Sequence, residues 1–212
     1  MINNALKFKY LGSISQIDDC SVGCLEMSNR ITAANAKFFE LYKFFTNHKI
    51  LLKTRLQFLN SLVKTRLTYM CQCQVFTKVQ FDKFDSEFIK LIRFMIRGGR
   101  QKRMAQVYTR NDGTQNEFSK YLYTNNDIVR MSGVELVSSY IKRQQTNWVN
   151  HAIRSDDSCF VKRLTFPDYP AGTKKKTGIL QTPYKQVLKY YRDMNITEAQ
   201  MLADIMKRQR LA

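Results

Sequence analysis

The sequence predicts a mainly α-helical fold, in which a short N-terminal β-hairpin is followed by a three-helix bundle and a smaller helical C-terminal tail. Three observations support this prediction. Residues 25–97 contain neither glycine nor proline, and their apolar side chains recur every three or four positions. An apolar content of 44% in 212 residues is enough to build a buried core. All three prolines lie within residues 167–183, between two helical stretches.

The N-terminal hairpin is predicted over residues 1–22. An apolar run, F-K-Y-L, begins at Phe8 and forms its first strand, and Gly12 follows directly. Glycine at this place permits close approach of the backbone to another molecule. Asp18 and Asp19 are predicted to lie in the turn between the two strands of the hairpin, where aspartate is favoured.

Three amphipathic helices are predicted over residues 23–99. Asn47 and His48 separate the first helix from the second, and Gly98 and Gly99 end the third. Thr77 has capping-box spacing to Gln80 before the third helix. The apolar stripes are expected to contain Ile31, Ala34, Phe38, Leu41 and Phe45, then Leu52, Leu56, Leu59 and Val63, and finally Phe81, Phe84, Phe88, Leu91 and Met95.

Residues 100–131 are polar, basic and poorly periodic, which predicts a basic linker. The helical tail is predicted over residues 132–212, and Ser132 with Glu135 has the spacing of a capping box at its start. A proline- and lysine-containing hinge at 167–183 divides this tail.

Two further helices are predicted after the hinge. Tyr184, Val187, Leu188 and Tyr191 lie at helical spacing in the first of them. Thr197, with Gln200 three positions later, forms a possible capping box for the second.

The charge balance predicts a polyanionic partner. The chain has 35 Lys and Arg against 17 Asp and Glu, a formal net charge of +18. Such a surface attracts nucleic acid, and the apolar content excludes a disordered basic tail. Cys and His are not spaced as in a zinc site, so no metal is expected. No window approaches the length of a membrane span and no signal peptide is visible, so we expect an intracellular protein, nuclear or cytoplasmic, without a membrane contact.

Several motifs resemble, in order and spacing, the C-terminal part of non-LTR (LINE-type) retrotransposon reverse transcriptases, which are RNA-directed DNA polymerases. They are F-K-Y-L-G from Phe8, N-R-I-T-A-A-N-A-K-F-F-E-L from Asn29, and L-L-K-T-R-L-Q-F-L-N-S-L-V-K-T-R-L-T-Y from Leu51. A later segment, with Arg143 before W-V-N-H-A-I-R from Trp148, resembles the family's R-x-x-x-W-x-x-H-x-x-R pattern, although its Arg-to-Trp spacing is looser. The resemblance covers nearly the whole chain and is strongest up to Thr77.

The resemblance implies that the hairpin is a primer grip, the three helices over 23–99 are a thumb, and 132–212 is the post-thumb region. The family's catalytic aspartates precede the F-x-Y-L-G strand, whereas Asp18 and Asp19 follow it, and Gln16 replaces the aromatic residue two places earlier. They are therefore not predicted to be catalytic. The Mg²⁺ ions would belong to a palm that the sequence does not contain, so no cofactor is expected and the chain is expected to be inactive alone, although its parent family is enzymatic.

The expected partners are RNA, DNA or an RNA–DNA hybrid, together with a fingers and palm region. A thumb binds the sugar–phosphate backbone without recognising sequence. An alternative hypothesis is a non-enzymatic basic helical scaffold, or RNA-binding subunit, of a ribonucleoprotein. A telomerase-like thumb would fit the helices but not the segment around Trp148. The predicted nucleic-acid-binding residues are Phe8, Tyr10, Leu11, Gly12, Arg30, Lys37, Lys53, Arg55, Lys64, Arg66, Arg97, Arg100, Lys102, Arg103, Tyr108 and Arg110.

The last six of these residues form a basic, glycine-bearing segment with Tyr108 available to stack on a base. A nuclear-localisation patch and a linker without a partner are competing interpretations of the same segment. The lysine run at 173–177 fits a linker or a targeting signal better than a specific contact.

Overall fold

A computed structural model provides the structure of the protein. It describes the backbone of residues 7–10, 13–16, 22–97, 99–109, 115–156 and 183–209. Side-chain environments are described for residues 26–97, 99–102, 122–156 and 183–203. Asp18, Asp19 and most of the predicted hinge at 167–183 lie outside the described residues.

The fold is mainly helical, as predicted. The helices are α1 (Val22–Glu40), α2 (Tyr42–Phe45), α3 (Leu52–Phe58), a π-helical segment (Leu59–Lys64), α4 (Thr65–Thr68), a 3-10 turn (Cys71–Cys73), α5 (Lys78–Met95), α6 (Asn125–Ser132), α7 (Val137–Arg154), α8 (Pro183–Asp193) and α9 (Glu198–Gln209). The strands are β1 (Lys7–Tyr10), β2 (Ser13–Gln16), β3 (Lys102–Thr109) and β4 (Gln115–Tyr121).

The chain divides into two compact units. The bundle unit consists of Cys24–Leu67 and Lys78–Ser138, and the tail unit consists of Met1–Gly23, Thr68–Thr77 and Ser139–Ala212.

The core of the bundle unit contains most of the predicted apolar stripes, although Leu41 and Leu52 are only partly buried. From α1 and α2, Phe38 and Phe45 are fully buried and their rings stack with centroids 4.8 Å apart. Every stripe residue predicted in α5 is buried, and so are Leu59 and Val63 of the π-helical segment. These side chains confirm the helical spacing inferred from the sequence, because the residues on one face of each helix are the residues that lose contact with water.

α5 ends where the sequence predicts, just before the pair of glycines. Gly99 is required there, since a Cβ atom at this position would lie 2.6 Å from the carbonyl oxygen of Arg93. Arg93 itself is buried, and its guanidinium donates to the carbonyl oxygens of Gly99 and Tyr123 and to the side chain of Asn125. One arginine therefore fixes the end of α5 to the start of α6.

Residues 100–131 differ from the predicted linker. β3 and β4 pair as antiparallel strands, with Lys102 opposite Tyr121 and Thr109 opposite Gln115, and α6 follows. The register shifts between Met104 and Gln106. This irregularity offsets the alternation of apolar and polar residues on which a strand prediction depends, which explains why the pattern appeared aperiodic.

Ser132 does not begin a helix, which corrects the predicted capping box. It is the last residue of α6, and its hydroxyl donates to the carbonyl oxygen of Val129. The capping box lies at the other end of α6, where Thr124 accepts from the backbone N–H of Asp127 and donates to its carboxylate. These hydrogen bonds lower the pKa of Asp127 below its ordinary value. Gly133, at a φ of 62°, then ends the helix in the left-handed conformation that glycine tolerates.

The tail unit contains a small core and a buried amide network. Leu188 of α8 and Met201 of α9 form one buried apolar cluster, against which Tyr184, Tyr191 and Leu202 pack. Thr197 and Gln200 form reciprocal hydrogen bonds before α9, which confirms the predicted capping box. Tyr184 of α8 donates a hydrogen bond to Glu198 of α9.

Gln145 and Gln186 are the centre of the amide network in the tail unit. Gln145 is fully buried and donates to the carbonyl oxygen of Gln74 at 2.6 Å and to the amide oxygen of Gln186 at 3.2 Å. Its own oxygen accepts from the Tyr190 hydroxyl at 2.8 Å. Gln186 in turn exchanges two hydrogen bonds with the backbone of Phe76. Burial raises the pKa of Tyr190, so its hydroxyl stays protonated as a donor.

β1 and β2 pair in antiparallel register, with Phe8 opposite Ser15 and Tyr10 opposite Ser13. Leu11 and Gly12, between the two strands, lie outside the described residues. Asp18 and Asp19 come after β2 in the chain and not between the strands, which corrects their predicted position. In the described part of the chain, no helix combines the length and the apolar character needed to cross a membrane.

Candidate nucleic-acid interface

The bundle unit is basic, and the first of its two chain segments, Cys24–Leu67, has the larger excess of basic residues. Cys24–Leu67 contains only two acidic residues, Glu26 and Glu40. The same range contains eight basic ones: Arg30, Lys37, Lys43, Lys49, Lys53, Arg55, Lys64 and Arg66. The structure separates these eight cations into those that hold the fold together and those that face water.

Arg55 is a structural residue, which corrects its predicted role as a phosphate contact. It is 4% exposed, and its Nη1 donates to the carbonyl oxygens of Phe45 and Met95, each at 2.7 Å. Its Nε donates to the carbonyl oxygen of Ile50 at 3.0 Å. Burial lowers the pKa of Arg55. Because the guanidinium is enclosed by the carbonyl ends of three segments, it is not available to a phosphate.

Lys64 is also buried, which likewise corrects its predicted role as a phosphate contact. Its side chain is 7% exposed, and its ammonium donates to the carbonyl oxygen of Glu135 at 3.1 Å and approaches the Glu135 carboxylate at 3.4 Å. The same ammonium lies 5.9 Å from the centre of the Phe88 ring. Lys64 therefore links the π-helical segment to the residues that precede α7 within the bundle unit.

Arg30 and Lys37 form ion pairs along α1. The guanidinium of Arg30 bonds to the buried carboxylate of Glu26, four residues earlier. Lys37 bonds at 2.6 Å to Glu40, three residues later. Both cations are partly covered, so these two residues are less accessible to a ligand than the sequence implied.

Arg66 is a second cation that acts on Glu40. The hydrogen bond from Lys37 is the main cause that lowers the pKa of Glu40, and the charge of Arg66 lowers it further. Lys37 of α1 thus bonds to this carboxylate, and the charge of Arg66 of α4 also acts on it. This group of three carries a net positive charge and lies at the surface, because Arg66 and Glu40 are both exposed.

The remaining basic side chains of Cys24–Leu67 are exposed, and so is Arg97 after α5. Lys53 and Arg97 were predicted as contacts, and both lie in water. Lys43 and Lys49 are equally exposed but were not predicted, because they lie at the end of one helix and in the connection after it. None of these four forms an ion pair with another residue that the structure describes.

An open groove lies beside Lys53. It has a volume of about 390 Å³, and Gln57 and Asn60 of the same helical stretch line it together with Lys53. Ser132 and Gly133 lie on its other side. Leu52, Leu56, Met131 and Val134 also line the groove, so its polar side chains lie beside apolar ones.

Aromatic rings are exposed on the same unit, which the sequence analysis missed. Phe39 and Tyr42 are 51% and 37% exposed, respectively. Their centroids are 6.0 Å apart in a stacked arrangement, and both meet the ring of Phe94 edge-on, at 5.7 and 5.9 Å. The guanidinium carbon of Arg100 lies 4.3 Å from the centre of the Phe94 ring. Phe39 and Tyr42 lie off the predicted apolar stripe, and this position was the signal in the sequence that their rings are exposed.

The basic segment 97–110 is only partly described at the side-chain level. Arg97, Arg100 and Lys102 are exposed. Arg103 and Tyr108 are backbone positions of β3, opposite Lys120 and Asn116. The predicted contact Arg110 lies outside the described residues.

No family model matches the chain, and neither a curated protein nor a solved structure does. Within the described ranges, no group of three or more His, Cys, Asp or Glu side chains is placed to hold a metal ion.

Proposed function

We propose that this chain is a nucleic-acid-binding, C-terminal fragment of a non-LTR retrotransposon reverse transcriptase that grips a template–primer duplex or element RNA through the phosphate backbone. In this proposal α1–α5 act as the thumb and the strand pair β1–β2 as the primer grip. The chain contributes no catalytic carboxylates, and polymerisation would require a palm. The motif order described above and the basic helical surface together support the proposal.

One observation carries the proposal: exposed Lys90 and Arg130 of the bundle unit pair with Glu87 and Asp127, whereas four other exposed cations have no such partner among the described residues. Lys43, Lys49, Lys53 and Arg97 face water without an ion pair among the described residues. Placing like charges along one protein surface is unfavourable unless counter-ions or a ligand compensate them. A nucleic acid supplies that compensation, and the counter-ions released from it drive binding.

The burial of two predicted contacts reduces the set of residues that can bind phosphate. With Arg55 and Lys64 assigned to the fold, the candidate phosphate contacts are Lys53, Arg66 and Arg97, with Arg100 and Lys102 beside them. These residues come from α3, α4 and the segment that follows α5. Contacts of this kind hold a backbone in place and do not distinguish between bases.

The proposal predicts that replacing Lys53, Arg66 and Arg97 together with glutamine weakens binding to an RNA–DNA hybrid equally for unrelated sequences. Each lost phosphate contact lowers the slope of log affinity against log salt by about 0.9, so the triple variant should lose about 2 to 3 from its magnitude. Affinity is measured by fluorescence anisotropy over a salt series.

A matched control changes the same number of exposed cations on the tail unit. Arg154, Lys189 and Arg192 are all exposed, and replacing them with glutamine alters the net charge by the same amount. If both triple variants lost the same affinity and slope, binding would reflect net charge alone, and the assignment to the bundle unit would be wrong. Loss of binding to one sequence only would contradict a backbone grip.

A further inference from the structure

The most unusual surface of the bundle unit is a cluster of three aromatic rings, which we call the aromatic platform: Phe39, Tyr42 and Phe94. The ring of Phe38, fully buried, supports it from below, at 5.6 Å from Phe39, 6.4 Å from Tyr42 and 5.8 Å from Phe94. The platform is therefore anchored to the core. Its rings are held in fixed relative positions instead of projecting singly into water.

The platform leaves apolar ring faces exposed to solvent. Phe39 is half-exposed although phenylalanine is usually a buried residue. Phe39, near the end of α1, and Tyr42, at the start of α2, are three residues apart, a spacing that brings side chains together on a helical surface. Their planes are inclined by 23° in a stacked arrangement, and another flat ring can be added to such a stack.

Basic residues accompany these rings. Arg100 stacks on Phe94, exposed Lys43 follows Tyr42 directly in the chain, and Lys37 bonds to Glu40, the residue after Phe39. An apolar segment of a protein partner would gain nothing from these cations and would have to desolvate some of them. A ligand with flat rings linked by phosphates matches both features, because its rings stack and its phosphates meet the charges.

We propose that the aromatic platform stacks on an unpaired base of the bound nucleic acid, so that the protein prefers a duplex with a single-stranded extension over a blunt one. This inference rests on the proposed nucleic-acid binding and adds a second mode to it. The exposed cations hold the backbone, while the rings hold a base by its face. Because every base has such a face, the preference is for unpaired strand and not for a sequence.

The test compares two RNA–DNA hybrids of equal duplex length, one blunt and one with a short single-stranded DNA extension that contains 2-aminopurine. The wild-type chain should bind the extended hybrid at least about fivefold more tightly, since stacking of a single base on an aromatic ring contributes that much or more. Stacking should also quench the 2-aminopurine fluorescence.

Replacing both Phe39 and Tyr42 with leucine removes the rings but keeps apolar side chains that favour a helix. This double variant should lose the preference and the quenching, while its salt slope on the blunt hybrid should stay unchanged because no charge is altered. The control variant Phe58→Leu changes a ring that is 46% exposed elsewhere in the same unit, and it should keep both properties. Tyr42→Phe retains the ring and should behave as the wild type.

The outcomes separate the two proposals. A wild-type chain that binds both hybrids equally, or a double variant that still prefers the extended hybrid, would overturn the aromatic platform and leave the backbone grip intact. A folded chain that binds neither hybrid would overturn the proposed function and this inference with it.

Discussion

Replacing Arg55 with methionine is expected to lower the free energy of unfolding by about 3 to 5 kcal/mol. Methionine fills much of the same volume but offers no donors, so the carbonyl oxygens of Phe45, Ile50 and Met95 would be left without their partner in a buried place. Each unsatisfied buried acceptor costs about 1 to 3 kcal/mol. Urea unfolding followed by far-UV circular dichroism measures the loss.

Lys53→Met is the matched control for this prediction. Lys53 lies two residues earlier in α3 and is exposed, so its replacement should change the unfolding free energy by less than about 0.5 kcal/mol. Arg55→Lys should recover little, because an ammonium is a compact charge and does not reproduce the planar fork of donors. A stability of Arg55→Met within about 1 kcal/mol of the wild type would contradict the structural role of this arginine.

In the tail unit, Gln145→Leu is expected to cost about 2 to 4 kcal/mol. Gln145 satisfies the carbonyl oxygen of Gln74, the amide oxygen of Gln186 and the hydroxyl of Tyr190 in a fully buried place. A leucine leaves all three without this partner. The single tryptophan, Trp148, lies in the tail unit, so its fluorescence during urea unfolding reports on the unit that contains the change.

The neighbouring Gln144 provides the control. It is partly exposed, and the described part of the chain offers it no hydrogen-bond partner. Gln144→Leu should therefore change the free energy of unfolding by no more than about 0.5 kcal/mol. Equal losses for the two variants would mean that the network around Gln145 contributes nothing beyond ordinary side-chain replacement.

The helices of the bundle unit were predictable because spacing alone determines which side chains share a face. The stripe through Phe38 and Phe45 and the stripe through Phe81 and Phe88 are both buried. Arg55 was misassigned because periodicity treats every charged residue as a surface residue. Its partner Met95 lies 40 residues away in the chain, so only tertiary structure shows that the carbonyl ends of two helices converge on it.

The strands β3 and β4 were missed for a local reason. Charged and polar residues dominate both, and the register shift near Met104 interrupts the alternation that would have revealed them. The sequence between the strands contains Asn111, Asp112 and Gly113, a strong turn signal that deserved more weight than the low apolar content.

The exposure of the predicted contact residues could be inferred from the sequence only in part. High net charge indicated a polyanionic partner, and Lys53, Arg66 and Arg97 are exposed as expected. Sequence could not distinguish exposed cations from structural ones, since both occur on polar faces of helices. Nor could it show that Phe39 and Tyr42 come together with a third ring, because that ring, Phe94, comes from a helix more than fifty residues later.

The most direct test of the account is the affinity of the purified chain for an RNA–DNA hybrid between about 50 and 200 mM salt. We expect log affinity to fall linearly with log salt with a slope of about −3.5 or steeper, the value for roughly four or more phosphate contacts, and to be the same for two unrelated sequences. Negligible binding, or binding that does not change with salt, by a chain whose circular dichroism shows it to be folded and helical would contradict the proposal that its basic surface grips nucleic acid.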